Sequence, residues 1–426
     1  MHIYFIGING AGMSALAHFT LDADYSVSGS DMESGINTKQ LEARGAQISL
    51  GDEAQNILNT HTNERINTVV VSSAIPDSSP ELLFARDNNI EVVKRGPYIN
   101  QLLTDFKLKL VAVAGTHGKT TTSAMTVWLM QQLEEPVSHI VGTNLNFANA
   151  GAYVPGSKYL VLEADEYDRL MLDFSPEITA IVSLDYDHPD IYKTEQAYVS
   201  AFKQLVEQSK KTITWESEAK ILDLNEEDYF VLHEDRKFEQ ISLYGSHNRK
   251  NAWLAVTVVG MMRDSVGFSP DEWKDLAESI STFPGSGRRF EQIAGNIYSD
   301  YGHSPVEIAA TLQLAREVAE HDQKIIVVYQ PHQNIRQHLV RKDYHHALDS
   351  ADAVYWLPTY LSREDPELEA LSPEKLIQEL SDPTIATPAD MNKELIDNIK
   401  NHQANGDLVI LFGAGSIDDW ARANLL

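Results

Sequence analysis

The stretch that most constrains this chain runs from residue 108 to residue 133. An apolar run, Leu108-Lys109-Leu110-Val111-Ala112-Val113-Ala114, enters the turn Gly115-Thr116-His117-Gly118, and Lys119-Thr120-Thr121-Thr122 follow at once. Ala124, Met125, Val127, Trp128, Leu129, Met130 and Leu133 then read as a largely buried helix. A strand that passes through a glycine turn into a helix is the unit of a parallel α/β sheet. Glycine lets the backbone curl closely around an anion, and the helix start offers unpaired N–H groups and a favourable dipole. Lys119 supplies charge for β- and γ-phosphates, and the Thr120 hydroxyl suits Mg²⁺. The longer phosphate-loop pattern has a further glycine where Val113 stands, so the motif here is the short Gly-x-x-Gly-Lys-Thr. A plain packing turn would also use glycine and would leave Lys119 solvated. Strand, glycines, lysine and hydroxyls in that order argue instead for an ATP site formed by Gly115, Thr116, His117, Gly118, Lys119, Thr120 and Thr121.

Bulk properties narrow the classes. A chain of 426 residues exceeds one ordinary core, so several domains are expected. With 34 basic and 62 acidic side chains the net charge is −28, which opposes nucleic acid and anionic membranes as partners. Any anionic ligand must therefore be met by local Lys, Arg, Mg²⁺ or backbone N–H groups. There is no cysteine, hence no disulfide and no thiolate chemistry. No apolar run reaches membrane-spanning length, and Met1-His2-Ile3-Tyr4-Phe5-Ile6-Gly7 lacks the basic start of an export signal, so a cytoplasmic protein is expected.

The first hundred residues alternate short strands and helices. Their opening turn, Gly7-Ile8-Asn9-Gly10-Ala11-Gly12, is followed about 20 residues later by Asp31, where a ribose-binding acid would lie. The spacing is GxxGxG, and an NAD(P)-binding or purely structural turn fits it as well. In the centre, Tyr159–Glu163 and Thr179–Leu184 are apolar strands that deliver Glu163, Asp165, Glu166, Asp187 and His188 at their C-terminal ends, where parallel sheets bind ligands. Glu163 and His188 are expected to converge beside the phosphate loop as metal ligands with Thr120, and Glu166 competes locally with Glu163. Asn248 and Asn251, three apart, share one helix face and suit an adenine edge. Residues 284–290 form a glycine-rich hinge carrying Arg288 and Arg289, and 225–239 is acidic enough for a surface excursion. Beyond it a second alternating block places Ser299-Asp300-Tyr301-Gly302-His303-Ser304 and Gln330-Pro331-His332-Gln333-Asn334-Ile335-Arg336 at strand ends, while Gly413-Ala414-Gly415-Ser416 reads as a packing turn.

Ala-Gly-Thr-His-Gly-Lys-Thr-Thr-Thr, Glu-Ala-Asp-Glu, Asp-His in its looser form Asp-Tyr-Asp-His, His-Asn-x-x-Asn and Gly-x-Gly-Arg-Arg, in this order, resemble the Mur ligases, the ATP-dependent amide-forming enzymes of peptidoglycan precursor synthesis. The resemblance spans nearly the whole chain. It implies three α/β domains: a Rossmann-like UDP-sugar domain over 1–104, a P-loop ATPase-like domain over 105–284 and a Rossmann-like amino-acid domain over 285–426. It implies ATP and Mg²⁺ as cofactors, with Lys119, Glu163, His188, Arg289 and Asp300 as catalytic residues, and Asn248, Asn251 and Arg289 at the nucleotide. The UDP-sugar is expected at Gly10, Ala11, Gly12, Ser30, Asp31, Ser72 and Ser73. Asp-Tyr-Gly-His and Gln-Pro-His-x-x-x-Arg are similar to members that join L-alanine to UDP-N-acetylmuramate, which implies Tyr301, His303 and Arg336 at the amino acid. The alternative acceptor is the tripeptide L-Ala-γ-D-Glu-meso-diaminopimelate. Ser304 and Gln333 stand where a second histidine and a second arginine are usual, and Asn9 and Asp52 where glycine and histidine are. A monomer or homodimer is expected.

Overall fold

The computed structural model describes residues 1–189, 191–234, 240–263, 269–362 and 364–426. Part of the expected acidic excursion, 235–239, lies outside the described residues. Among those described, the strands form three sheets of five, seven and six strands.

The first sheet contains β1 (His2–Ile6), β2 (Ser26–Asp31), β3 (Gln47–Leu50), β4 (Thr68–Val71) and β5 (Glu91–Lys94), in the order β3-β2-β1-β4-β5 and parallel throughout. β1 is buried along its whole length, as a central parallel strand covered on both faces must be. The second sheet contains β6 (Lys109–Ala114), β7 (Ser138–Ile140), β8 (Gly151–Ala152), β9 (Tyr159–Glu163), β10 (Ile178–Ile181), β11 (Thr212–Trp215) and β12 (Phe230–Leu232). Its order is β12-β11-β10-β6-β9-β7-β8, with only β8 antiparallel. β6 therefore lies between β9 and β10, and the strands carrying Glu163 and the approach to His188 flank the phosphate loop on either side.

These two sheets belong to one compact unit, Met1–Ile241 with Asn251–Pro284. A single apolar cluster joins Ile3, Phe5 and Leu16 to Leu110, Leu162 and Phe202. The helix Ala11–Asp22 approaches so closely that a methyl group on Gly151 would overlap the Ala15 carbonyl oxygen. Glycine is the only residue that allows this backbone contact.

The second unit comprises Gly285–Leu426 together with Ser242–Lys250. Its sheet holds β13 (Glu291–Ala294), β14 (Ile297–Asp300), β15 (Ile325–Tyr329), β16 (Ala353–Trp356), β17 (Ala386–Pro388) and β18 (Leu408–Phe412), in the order β13-β14-β18-β15-β16-β17. The strand that ends in Ser299 and Asp300, β14, is the second arm of an antiparallel hairpin, β13–β14. Residues 242–250 are tied in by Glu317, whose carboxylate accepts from Gly245 N at 2.8 Å and lies 3.3 Å from Arg249 Nη1. The turn at Gly413–Ser416 is a packing device, because a Cβ on Gly413 would stand 2.9 Å from the Gln330 carbonyl and one on Gly415 2.6 Å from the Tyr360 ring.

Candidate active site

The phosphate loop is set by two glycines at positive φ. Gly115 (φ +137°) passes so near β10's exit that a Cβ would lie 2.8 Å from Ser183 O, and Gly118 (φ +79°) caps the helix Lys119–Gln132 in the left-handed conformation. Ser183, given no role from sequence, holds the loop: Thr116 N donates to its carbonyl at 3.0 Å and His117 N to its Oγ at 2.8 Å. Thr116 Oγ1 lies 2.7 Å from Tyr198 OH and donates to Asp185 O at 2.7 Å. Asn251 is buried with its amide against Gly118, where a Cβ would meet its Oδ1 at 2.7 Å. Asn248, one turn earlier, donates from Nδ2 to Tyr244 O at 3.1 Å.

Lys119 Nζ donates to Gly115 O at 2.6 Å, Thr116 O at 3.2 Å and Glu166 Oε2 at 2.7 Å. Burial alone would lower the lysine's pKa, but Glu166, with Asp165 and Glu163, holds it above the ordinary value. Burial likewise pushes Glu166 up, and Lys119 and His188 reverse that and hold it below the usual carboxylate range. Thr120 Oγ1 donates to Glu163 Oε1 at 2.8 Å, and Gly142 N donates to Glu163 Oε2 at 2.6 Å.

The structure gives Glu163 and His188 different partners, which corrects the expected pairing. His188 Nε2 stands 3.5 Å from Glu166 Oε1, so the local competitor, Glu166, faces both Lys119 and His188. The reason is local backbone. The chain leaves β10 at Ile181, reaches His188 at φ +56°, and sets the imidazole edge-on to Tyr167 with ring centres 5.2 Å apart. Among the described residues no three His, Cys, Asp or Glu side chains form a group able to hold a metal ion.

At the N-terminal glycine turn, Gly7 N and Ile8 N donate to Ser30 O at 2.9 and 3.0 Å, and Asn9 N donates to Asp31 Oδ2 at 2.8 Å. Ser30 is buried, and its hydroxyl donates to the buried Glu81, so it supports the turn from beneath. Tyr4 OH donates to the other Glu81 oxygen at 2.7 Å, and burial pushes that carboxyl up to about 6. Gly10 caps the helix Ala11–Asp22, with Ala11 and Gly12 in its first turn. Ser72 lies beside Gly7, and Ser73 is exposed. Arg95 is the residue that sequence reasoning missed. Its guanidinium fills the space over Gly12 that a methyl group would overlap, and among the described residues it makes no hydrogen bond or ion pair. No motif marks it, since it starts an unrelated helix, Arg95–Asp105.

In the second unit, Asp300 is buried and accepts from Phe290 N at 2.8 Å and Gly302 N at 2.7 Å. Burial pushes its carboxyl up to about 6 against the pull of Arg289. The guanidiniums of Arg288 and Arg289 lie over the Tyr301 ring at 4.8 and 4.7 Å, and Arg288 and Phe290 both adopt positive φ (56° and 48°). His303, His332 and Arg336 gather above Tyr329: the two imidazoles are 5.9 Å apart, Arg336 Nη1 is 3.5 Å from His332 Nδ1, and Tyr329 OH donates to His303 O at 2.9 Å. Tyr360, unmarked in sequence, stacks on His332 at 5.6 Å. The two unusual residues have local work: Ser304 forms a capping box with Glu307 at the helix Pro305–Val318, and Gln333 (φ +61°) precedes the helix Asn334–Val340 and donates to Ser362 O at 3.3 Å.

Comparison with known proteins bears on this arrangement. Family models match at residues 2–107 (Mur ligase family, catalytic domain), 113–227 (Mur ligase middle domain) and 288–415 (Mur ligase, glutamate ligase domain). The UDP-N-acetylmuramate–L-alanine ligase of Geotalea daltonii is 31% identical across 97% of this chain and 95% of its own length. That of Bradyrhizobium diazoefficiens is 30% identical across 99% and 96%. The crystal structure of the UDP-N-acetylmuramate–alanine ligase of Thermotoga maritima superposes with a TM-score of 0.78 at 25% identity, covering 100% of this chain and 98% of that one. A murein peptide ligase of Psychrobacter arcticus shares the fold, with a TM-score of 0.68 at 20% identity and coverage of 100% and 98%. With near-full-length relatives at this identity and a phosphate loop built from the matching residues, the chain belongs to the Mur ligase family.

Proposed function

We propose that this protein is an ATP-dependent ligase that joins the lactyl carboxylate of UDP-N-acetylmuramate to the amino group of L-alanine, in the assembly of peptidoglycan precursors. The observation that supports this most is similarity at 30–31% identity, over nearly the full length, to enzymes named for that reaction. ATP and nucleotide sugars are cytoplasmic metabolites, and the enzyme works where they are. No helix among the described residues is long and apolar enough to cross a membrane.

The carboxylate attacks the γ-phosphorus of ATP, the bond to the bridging oxygen breaks, and ADP leaves an acyl phosphate behind. The alanine amine then attacks the acyl carbon, loses a proton and expels phosphate. No protein nucleophile is needed; the site must hold anions together and meet developing charge. Lys119 and the amides of Gly118–Thr121, at the start of its helix, bind the phosphates, and Asn251, packed against Gly118, borders the nucleotide. Thr120 Oγ1 and Glu163 Oε1, one hydrogen bond apart at 2.8 Å, are an oxygen pair that fits a small hard cation. They would hold Mg²⁺, which when bound neutralises phosphate charge, while His188 faces Glu166. Gly10, Ala11 and Gly12 receive the diphosphate of the sugar nucleotide, Arg95 adds the missing positive charge, and Asp31 fixes the turn through Asn9. Arg336 anchors the alanine carboxylate beside Tyr301 and His303, a task suited to its planar fork. Arg289, over the Tyr301 ring at 4.7 Å, is the residue that the family resemblance assigns to ATP.

The test is phosphate release from ATP with UDP-N-acetylmuramate and either L-alanine or the tripeptide. Release that depends on L-alanine is expected. Preference for the tripeptide would overturn the acceptor, and no release with either would overturn the ligase reading.

A further inference from the structure

An ammonium group has three N–H donors. In Lys119 all three are committed, to Gly115 O (2.6 Å), Thr116 O (3.2 Å) and Glu166 Oε2 (2.7 Å). The two carbonyls belong to the loop and move with it. Only Glu166 comes from elsewhere, on the segment that follows β9. The Lys119 side chain is 13% exposed and that of Glu166 1%, so the pair is held out of water. A buried charge does not release its partner without a replacement of like charge. The lysine on which the phosphate loop depends is thus saturated before any nucleotide arrives.

We propose that Glu166 is a stand-in for phosphate: Lys119 exchanges the Glu166 carboxylate for a nucleotide phosphate oxygen on binding, and this exchange sets the affinity of the loop. Glu166 has somewhere to go. Its second oxygen already stands 3.5 Å from His188 Nε2. It also heads the segment Tyr167–Asp173, in which Asp168 and Arg169 are both left-handed (φ 54° and 57°). Consecutive left-handed L-residues are disfavoured, so the segment next to Glu166 stores backbone strain. Because the free state must first give up the ion pair, apparent affinity is lower than that of a loop whose lysine is already free.

The inference rests on the loop being the nucleotide site. Calorimetric titration of ADP into the full-length protein tests both, with Glu166→Gln and Asp165→Asn as variants. Asp165 is the control: it is the adjacent charge, but its carboxylate accepts from Tyr167 N at 3.0 Å and makes no bond to Lys119. Glu166→Gln should bind ADP about tenfold more tightly or better, and Asp165→Asn within about threefold of wild type. A structural defect would weaken binding, so tighter binding is not explained by damage. Unchanged or weaker binding by Glu166→Gln overturns the proposal, and so does an equal gain from Asp165→Asn, which would make it a field effect. No ADP binding by the wild type removes the nucleotide site itself, and the proposal with it. Should Glu166→Gln fail to fold, a wild-type structure with ADP decides: Lys119 must sit on phosphate and away from Glu166, and retention of the 2.7 Å bond overturns the exchange.

Discussion

Two strand–glycine turn–helix units of the protein hold their nearest cations differently. At residues 115–121 the cation is part of the motif, buried, and fully satisfied by its own loop and Glu166. At residues 7–12 the turn carries no cation, and Arg95 is delivered from a helix more than eighty residues further on, with no partner among the described residues. One unit is closed on itself before ligand arrives, and the other is open. The difference teaches that a glycine turn fixes a backbone shape, while the origin and prior commitment of the nearby charge distinguish one such turn from the other.

The largest effect should come from the closed unit. Lys119→Ala is expected to cut turnover by about a hundred- to a thousandfold. It should also cost about 3–5 kcal/mol of stability, since Glu166 is left buried without its partner. The double variant Lys119→Ala/Glu166→Gln should recover stability in urea unfolding while phosphate release stays lost. Equal stability of the single variant and wild type would break the contrast with the open unit.

Arg95→Ala probes that open unit. Charge-assisted hydrogen bonds contribute about 1.5–3 kcal/mol, so the Michaelis constant for UDP-N-acetylmuramate should rise about ten- to a hundredfold. The constant for ATP and the melting temperature should not move, because nothing buried loses a partner. A shift in ATP instead would remove Arg95 from the sugar-nucleotide site.

The glycines sharpen the comparison. Gly118→Ala must keep φ +79° and bring a methyl within 2.7 Å of Asn251 Oδ1 and 2.8 Å of Val182 Cγ1. A loss of about 1–3 kcal/mol in stability is expected. Gly12→Ala meets only the flexible tip of Arg95. Its stability should change by less than about 0.5 kcal/mol, with a several-fold rise in the constant for the sugar nucleotide as the arginine is displaced.

A further effect is in pH. Glu81, beneath the open turn, has its folded-state carboxyl pushed from 4.5 up to about 6 by burial. The folded state then holds this proton more firmly than the unfolded chain does. Stability from this group is present below about pH 4.5 and lost as pH rises to about 6, by about 2 kcal/mol at most. Glu166, held below its ordinary value, acts in the opposite direction and loses its contribution as pH falls. Glu81→Gln should remove the Glu81 slope from unfolding measured between pH 4.5 and 6.5, and an unchanged slope would assign it to another group.

Much of the fold is legible in local pattern. The first hundred residues do alternate short strands and helices, and the helix after the phosphate loop begins at Lys119, because continuous apolar runs and glycine turns are local signals. The hairpin β13–β14 was not legible. Gly295 (φ +52°) makes its turn, but Glu291–Ala294 has no alternation strong enough to announce an edge strand. In the site, Lys119 and Thr120 were readable from the glycine turn and Glu163 from a strand end, whereas Glu166 and His188 facing one another depended on the positive φ of His188.

The sequence by itself determined the α/β class, the phosphate loop and its lysine, and the strands that end in acids. These follow from residues within a few positions of one another, where sterics and hydrogen bonding act directly. Only the tertiary structure decided that Glu166 is what Lys119 holds, that Arg95 covers Gly12, and that Ser242–Lys250 packs with the C-terminal sheet. Those pairings join residues tens of positions apart, and a charge finds its partner there through the backbone directions and packing that bring two elements together.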